Sequence, residues 1–175
     1  MTRRSDRGLV RTGLRDAAAV AAAVTAFESA LGTSVEVLVQ PVVPGVEVAL
    51  GLRQDPTFGP LVVVAAGGTA IDVWDDRVSL LPPLDIGSVR RALRSLRSWP
   101  LLAGWRGSAA VDVSALERQV LALSQLGTDV PEVAELDLNP VLVDAGGTHL
   151  VDVKIRLSPA TAVDAGVPRR LRQPG

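Results

Sequence analysis

Residues 133–155 constrain the fold of this chain more than any other part of the sequence. They begin with a run in which an acid or amide alternates with leucine, Glu135-Leu136-Asp137-Leu138-Asn139-Pro140. Successive side chains of a β-strand point to opposite faces, so this run predicts one polar and one apolar face. An apolar segment follows, then Asp144-Ala145-Gly146-Gly147 offers the glycines of a tight turn before a second apolar segment. The sequence therefore predicts an antiparallel hairpin with oxygen-bearing side chains along one face.

The position of the turn decides which residues lie opposite each other in this hairpin. A loop centred on Ala145 and Gly146 places Asn139 opposite Asp152. A loop centred on Gly146 and Gly147 places Val141 opposite Asp152 instead. Directly opposed Cβ atoms lie about 4.5–5.5 Å apart, so in the first register an oxygen of each side chain could reach one small cation. Magnesium suits such a site, because it usually takes one or two carboxylates or related oxygens from the protein. A polar face that meets only solvent is the alternative, and the pattern alone does not exclude it.

Composition excludes several other classes of function. The chain has 175 residues, 47% of them hydrophobic, which is enough for one domain with a core. A net charge of −1 argues against a nucleic-acid or anionic-membrane surface, and no apolar run is long enough to span a bilayer. The chain has no cysteine and only one histidine, His149, which excludes disulfides, thiolate metal sites and two-histidine metal sites. We therefore expect a soluble, cytoplasmic protein.

The amino-terminal half predicts a helix followed by short strands. Asp16 is a good N-cap for an alanine-rich helix, and Gly32 is a good residue for its carboxyl end. Residues 35–43 alternate as a strand, Pro44-Gly45 predicts a turn, and residues 46–53 would complete a hairpin. Further strands are predicted at residues 61–66, 70–74 and 78–81.

Two more helices are predicted before the final hairpin. Residues 85–98 place apolar side chains on one face and an arginine stripe, at positions 90, 94 and 97, on another, which is typical of a solvated helix surface. A capping box, Ser114-Ala115-Leu116-Glu117, begins the second helix, and Gly127 ends it. Together these elements predict an α+β fold, in which helices pack on a mostly antiparallel sheet.

Four segments, in this order, resemble one known family. They are Val39-Gln40-Pro41-Val42-Val43-Pro44-Gly45-Val46-Glu47-Val48, Gly51-Leu52-Arg53-Gln54-Asp55-Pro56-Thr57-Phe58-Gly59-Pro60, Leu101-Leu102-Ala103-Gly104-Trp105-Arg106-Gly107, and Glu135 to Pro140. The chain resembles the ATP-grasp domain of NDP-forming acyl-CoA synthetases, relatives of the nucleotide-binding subunit of succinyl-CoA ligase, over roughly residues 5–156. The resemblance implies a carboxy-terminal ATP-grasp subdomain. In this fold two α+β subdomains hold a nucleotide between them. The family reaction converts acyl-CoA, ADP and phosphate into acid, CoA and ATP through a phosphohistidine.

The resemblance also implies roles for individual residues. Gln40 falls where the family contacts the adenine and ribose region of ATP or ADP, and Glu47 falls where it contacts the sugar. Asn139 and Asp152 fall on the magnesium-binding pair. Arg106 could lie near phosphate, because the glycines around it permit close backbone approach and a guanidinium matches phosphate geometry. Structural packing of the Arg106 loop is the alternative.

Some positions differ from the family pattern. Ala65-Ala66 stand where a further glycine is usual, and Asp72 stands where glutamate is common, so the phosphate loop is expected to be weakened. An upstream subdomain with a phosphate-binding lysine is expected, and Arg3 stands where that segment would carry histidine. We therefore interpret residues 1–15 as the remnant of a preceding subdomain, residues 16–157 as the carboxy-terminal subdomain, and residues 158–175 as a disordered tail.

The resemblance supports two hypotheses about function. The first is a nucleotide- and magnesium-binding half of an NDP-forming acyl-CoA synthetase. We expect this half to be inactive alone and competent beside an amino-terminal ATP-grasp subdomain or a CoA-binding subunit. The alternative is a non-catalytic, degenerate ATP-grasp module that acts as a binding or partner subunit. Either hypothesis leaves apolar surface for a partner or for self-association, and neither identifies the acyl group.

Overall fold

Six strands form one sheet in the computed structural model, which describes residues 8–68 and 75–159. In chain order they are β1 (Val46–Asp55), β2 (Gly59–Ala66), β3 (Arg77–Leu80), β4 (Val133–Asp144), β5 (Gly147–Leu150) and β6 (Val153–Leu157). Their spatial order is β3-β2-β1-β4-β5, and β6 pairs with β4 beside β5. Every pairing is antiparallel, as the sequence predicts.

The described residues also form four α-helices: α1 (Ala17–Leu31), α2 (Ile86–Ser95), α3 (Trp99–Ala103) and α4 (Val113–Asp129). The chain divides into two compact units, residues 1–43 with α1 and residues 44–175 with the sheet and the other helices. The α+β class is confirmed. The predicted limits at residues 16 and 157 stay predictions.

The core of the second unit lies between one face of the sheet and the helices α2 and α4. Alternate residues of β1, β2 and β4 point into it, and Leu50, Val62 and Val141 are fully buried there. Val89 from α2 and Leu116 from α4 close the core from the other side. Because side chains alternate along a strand, the residues between these apolar ones lie on the opposite face of the sheet.

The ends of α1 agree with the sequence. Asp16 is its N-cap, since a side-chain oxygen accepts the backbone N–H of Ala19 at 2.8 Å. Gly32, at φ 69°, donates its N–H to the Glu28 carbonyl at the carboxyl end. A left-handed residue at this position is favourable for glycine.

The strand predicted at residues 35–43 is wrong, because this segment forms no strand. Alternation shows that a segment could present an apolar face, but a strand also needs a free edge with which to pair. The predicted partner, β1, has both edges occupied, by β2 and by β4. The hairpin between residues 35–43 and 46–53 is therefore wrong as well.

The predicted limits of α4 are also wrong. Its N-cap is Asp112, whose carboxylate accepts the Ala115 N–H at 2.9 Å, so the helix begins one residue before the predicted capping box. Glu117 does not reach back to cap the helix but pairs with Arg90 of α2, with N···O distances of 3.0 and 3.2 Å. Gly127 lies inside the helix, which continues to Asp129.

The remaining predictions concern the arginines of the second predicted helix, the segments outside the described residues, and membrane-spanning helices. The arginines at positions 90, 94 and 97 are solvent-exposed, as predicted, although Arg90 also pairs with Glu117. The predicted end of their helix at residue 98 is wrong, because α2 ends at Ser95 and Arg97 lies beyond it. The strand predicted at 70–74, Asp72, residues 1–7 and the tail from residue 160 lie outside the described residues. In the part of the chain that the structure describes, no helix has the length and apolar character needed to cross a membrane.

Candidate functional site

The sheet face opposite the helices carries a row of charged and amide side chains. We call it the polar face and define it by Arg53, Glu135, Asp137, Asn139, Asp152, Lys154 and Arg156. An open hollow of about 410 Å³ lies on this face. Its lining combines small residues with charged or amide ones: Ala49, Leu50, Gly51, Val63, Ala65, Asp75, Asp76, Arg77, Asp137 and Asn139. The small side chains leave space above the strands, and the polar groups at the margin can bind a charged ligand.

The observed register of the hairpin places Asn139 opposite Asp152. The flanking pairs are Leu138 with Val153 and Val141 with Leu150, and the Asn139 N–H donates to the Asp152 carbonyl at 3.3 Å. The register centred on Ala145 and Gly146 is therefore confirmed, and the alternative, with Val141 opposite Asp152, is wrong. Opposed residues project to the same face of a sheet. The two candidate magnesium ligands are thus neighbours.

A β-bulge coincides with this pair. The register between β1 and β4 shifts between Val48 and Leu50, so that Asn139-Pro140 stands opposite Ala49 alone. Proline has no N–H to donate to a ladder, which explains why the regular pairing is interrupted at this point. On the other side of β4, the break between β5 and β6 falls at Val151 and Asp152. Both candidate ligands therefore lie where the sheet departs from regular pairing.

Basic side chains already accompany the acids of the polar face. The Lys154 ammonium lies 3.1 Å from an oxygen of Asp152 and 3.9 Å from an oxygen of Asp137. Arg156 pairs with Glu135 at 3.1 Å. All these groups are partly exposed, so each ion pair contributes little to the stability of the fold. The contact of Lys154 with Asp152 was not predicted, although residues two positions apart in an extended segment share a face.

The number and type of oxygens at the hairpin fit magnesium better than a metal that needs a full protein cage. Within residues 8–68 and 75–159, no three histidine, cysteine, aspartate or glutamate side chains converge on one point. Asn139 and Asp152 offer one amide oxygen and one carboxylate. Magnesium commonly binds through one or two such groups and completes its shell with water and phosphate.

Glu47 lies against the glycine pair that follows β2. The Gly67 N–H donates to the Glu47 carbonyl at 2.9 Å, and a Cβ on Gly67 would lie 2.6 Å from the Glu47 carbonyl carbon. Gly68 has φ 79°, and a Cβ there would overlap the Glu47 carboxylate. The missing side chains of this pair therefore make room for Glu47. Ala65 and Ala66, where the resemblance favours glycine, belong to β2 and are buried.

Asp55 has a structural role in the turn that joins β1 and β2. Its carboxylate accepts the N–H groups of Thr57 at 2.8 Å and Phe58 at 3.0 Å. These two hydrogen bonds hold the pKa of Asp55 below its ordinary value, against the effect of desolvation and with help from Arg53 at 3.3 Å. The carboxylate is engaged in shaping the turn and is not presented to a ligand.

The structure does not bring all predicted site residues together. Arg106 lies in a short 3-10 turn, Trp105–Gly107, with φ 50°, and its guanidinium stacks over the Trp105 ring at 5.7 Å. It is not among the residues that line the hollow. Gln40 belongs to the first unit, in a segment without helix or strand, where it is exposed.

Asp76 is a residue at the margin of the hollow that the sequence did not indicate. It is 4% exposed, and its carboxylate accepts the N–H groups of Arg97 at 2.7 Å and Ser98 at 2.8 Å. Its own carbonyl accepts the Ala66 N–H at 2.9 Å. A single aspartate in a polar stretch carries no pattern that predicts such contacts, because the partners are more than twenty residues away.

Residues 1–157 match the ATP-grasp domain family. ADP-forming acetate–CoA ligase I of Archaeoglobus fulgidus is 35% identical over 122 residues, 69% of this chain and 18% of that protein. The β subunit of ADP-forming acetate–CoA ligase I of Pyrococcus furiosus is 30% identical over 113 residues, 65% of this chain and 49% of that subunit. The chain thus spans less than half the length of these relatives.

A solved structure is also similar. It is the dinucleotide forming acetyl-coenzyme A synthetase 1 of Ca. Korarchaeum cryptofilum, in complex with coenzyme A and Mg-AMPPCP. The two chains have a TM-score of 0.76 and 29% identity, over 90% of this chain and 71% of that one. The sequence match and the structural match both place this chain among proteins with the same domain. The chain belongs to the ATP-grasp domain family, and its relatives include ADP-forming acetate–CoA ligases and their subunits.

Proposed function

We propose that the hollow on the polar face binds ATP or ADP together with magnesium, and that Asn139, at the margin of the hollow, and Asp152 hold the metal. The observation that carries this proposal is the hairpin register, in which the Asn139 N–H donates to the Asp152 carbonyl at 3.3 Å. This register puts an amide oxygen and a carboxylate side by side, and Asn139 lines the 410 Å³ hollow. Bound magnesium would neutralise charge on the phosphate oxygens.

The remaining nucleotide contacts are proposed from the family resemblance. Glu47 would contact the sugar, and its position beside Gly67 and Gly68 fixes its backbone. Gln40 would contact the adenine and ribose region. Arg106 would contact phosphate. It lies in an exposed turn with a left-handed backbone, and the contact described for its guanidinium is with the face of the Trp105 ring.

We further propose that this nucleotide site serves an NDP-forming acyl-CoA synthetase. Support comes from the ADP-forming acetate–CoA ligases that resemble the chain and from the similar structure in complex with coenzyme A and Mg-AMPPCP. Because these relatives are longer than the matched region, the complete reaction would use their other parts, such as an amino-terminal subdomain or a CoA-binding subunit. We expect the purified 175-residue chain to bind nucleotide without converting acyl-CoA to acid.

The second candidate is a non-catalytic binding module. The observation that favours it is the ion pair between Lys154 and Asp152, at 3.1 Å, which gives the carboxylate a partner without a metal. In that case the polar face would be a solvated surface.

Calorimetric titration of the purified chain with magnesium-ADP and magnesium-ATP distinguishes these proposals. We expect saturable binding that weakens by at least about tenfold in Asn139→Ala, which removes one metal ligand, and that is lost in the Asn139→Ala/Asp152→Ala double variant, which removes both.

Glu135→Gln is the matched control, since it removes a charge from the same strand face without touching the metal pair. It should bind as the unchanged chain does, and all variants should keep the far-ultraviolet circular dichroism of the fold. Absence of binding by the folded, unchanged chain would favour the non-catalytic module. Binding that survives the double variant would show that the metal is held elsewhere.

A further inference from the structure

Lys154 is the only lysine of the chain, and it lies beside the proposed metal ligand Asp152. Its ammonium is 3.1 Å from Asp152 and 3.9 Å from Asp137, so it touches one proposed ligand and approaches a second carboxylate on the hollow. We propose, resting on the function above, that Lys154 couples metal binding to nucleotide binding. It opposes magnesium while the polar face has no nucleotide, and it favours the magnesium complex of a nucleoside diphosphate.

The first step of the argument is the charge of this cluster. Two carboxylates and one ammonium leave one net negative charge, so the cluster is a poor site for a free divalent cation. A cation bound between Asn139 and Asp152 would also lie close to the ammonium, and like charges a few ångströms apart repel even in water. The resident ammonium therefore lowers the affinity for metal alone.

The second step is that the ammonium can move at small cost. The Lys154 side chain is 56% exposed and that of Asp152 is 38% exposed. Exposed pairs of this kind contribute little to stability, and lysine has a long, flexible stem. Lys154 can therefore leave Asp152 and remain near Asp137, whose 3.9 Å separation already places it within reach.

The third step is what nucleotide phosphates add. Their negative charge compensates both the metal and the ammonium, so the repulsion between the two cations no longer opposes binding. A Lys ammonium binds phosphate oxygens as a compact charge with several donors. The same residue that opposes metal alone would then stabilise the metal–nucleotide complex.

Arg156 provides an internal comparison. It lies two residues further along β6, on the same face, but its guanidinium pairs with Glu135 at 3.1 Å. Neither residue of that pair is a proposed metal ligand, and Glu135, unlike Asp137 beside Lys154, does not line the 410 Å³ hollow. Removing the Arg156 charge should therefore change the net charge of the chain as much as removing the Lys154 charge does, without changing the coupling between metal and nucleotide binding.

Two dissociation constants, measured on the full chain, test the proposal. The first is that of Mn2+ alone, followed by its electron paramagnetic resonance signal. The second is that of preformed magnesium-ADP, measured by calorimetry. In Lys154→Gln we expect Mn2+ alone to bind about three- to tenfold more tightly and magnesium-ADP to bind more weakly by a similar factor. Arg156→Gln should leave both constants within about twofold of the unchanged chain. A structural defect would weaken the binding of both ligands. Shifts of the two dissociation constants in opposite directions therefore identify the coupling.

Two results would overturn the inference while leaving the proposed function in place. One is that Lys154→Gln changes both constants in the same direction or changes neither. The other is that Arg156→Gln produces the same opposite shifts. If the folded, unchanged chain binds no magnesium-ADP, the proposed function fails and the coupling fails with it.

Discussion

At the scale of single residues, Asp76 connects three elements around the hollow. Both of its carboxylate oxygens accept backbone N–H groups, from Arg97 and Ser98, where α2 gives way to α3. Its carbonyl meets Ala66 at the end of β2, and Arg77 begins β3 directly after it. Burial raises the pKa of Asp76, but the hydrogen bonds from Ser98 and Arg97 outweigh this effect and hold the pKa below its ordinary value.

We predict that Asp76→Asn lowers the free energy of unfolding by about 1–3 kcal/mol, because its amide N–H₂ would face a backbone N–H in a buried position. The neighbouring Asp75, which is exposed and pairs with Arg77, offers the control. Asp75→Asn should cost no more than about 0.5 kcal/mol. Urea denaturation at neutral pH measures both, and equal effects would contradict the structural role of Asp76.

The same residue predicts a dependence of stability on pH. A carboxyl whose folded pKa is depressed contributes stability that is complete above its unfolded pKa, near 3.8, and is lost as the pH falls through the folded value. The stability difference between the unchanged chain and Asp76→Asn should therefore shrink as the pH falls below about 4. A difference that stays constant from pH 7 to pH 3 would show that the charge of Asp76 does not contribute.

At the scale of elements, α4 packs closely on the sheet through Gly127. A Cβ on this glycine would lie 2.5 Å from Cδ1 of the buried Leu52 and 3.1 Å from Cβ of Pro60. The Gly127 carbonyl also accepts a hydrogen bond from the Gln54 side chain at 2.9 Å. The glycine therefore allows the helix to approach β1 and β2.

Gly127→Ala should lower the free energy of unfolding by about 1–3 kcal/mol through overpacking, although alanine favours a helix interior by about 1 kcal/mol. Gly87→Ala in α2 is the control, because the atoms its Cβ would meet belong to the side chains of Asp85 and Arg91. That variant should cost less stability than Gly127→Ala, because its nearest contact, 3.0 Å from Oδ1 of the helix cap Asp85, is with an exposed side chain. Thermal denaturation of the two variants compares them, and an increase in stability for Gly127→Ala would rule out the close packing.

These elements show what sequence patterns can and cannot predict. The hairpin of β4 with β5 and β6 was predictable up to a choice between two registers, because alternation and turn glycines both act locally. Residues 35–43 alternate in the same way, yet no edge of β1 is available to them. Gly127 was predicted to end the helix because glycine is favoured at helix ends. The structure instead requires glycine there because Leu52, distant in sequence, packs against it. Glu117 matched a capping box, whereas its partner is Arg90 of another helix.

The candidate site follows the same division. Asn139 and Asp152 were predictable because strand pairing is a local rule that brings them together. Asp76 and the 410 Å³ hollow were not, since they depend on β2, β3 and the start of α3 meeting in space.

At the scale of the whole molecule, the second unit has one sheet face buried against helices and one polar face with a hollow. Edge strand β6 adds exposed apolar side chains at Val153, Ile155 and Leu157, which are 47%, 58% and 68% exposed. Among residues 8–68 and 75–159, β6 pairs only with β4, and exposed apolar side chains along such a sheet edge favour association. The predicted partner or self-association stays a prediction.

The central claim is that magnesium nucleotide binds the polar face at Asn139 and Asp152. Paramagnetic Mn2+ delivered with ADP to isotope-labelled chain tests the location directly, because it broadens the amide signals nearest the metal. The account predicts the strongest broadening at Asn139, Asp152 and Ala49, and the weakest at Gln125 on the exposed side of α4. Broadening centred on His149 and Asp144, or on the helices, with Asn139 and Asp152 unaffected, would contradict the account.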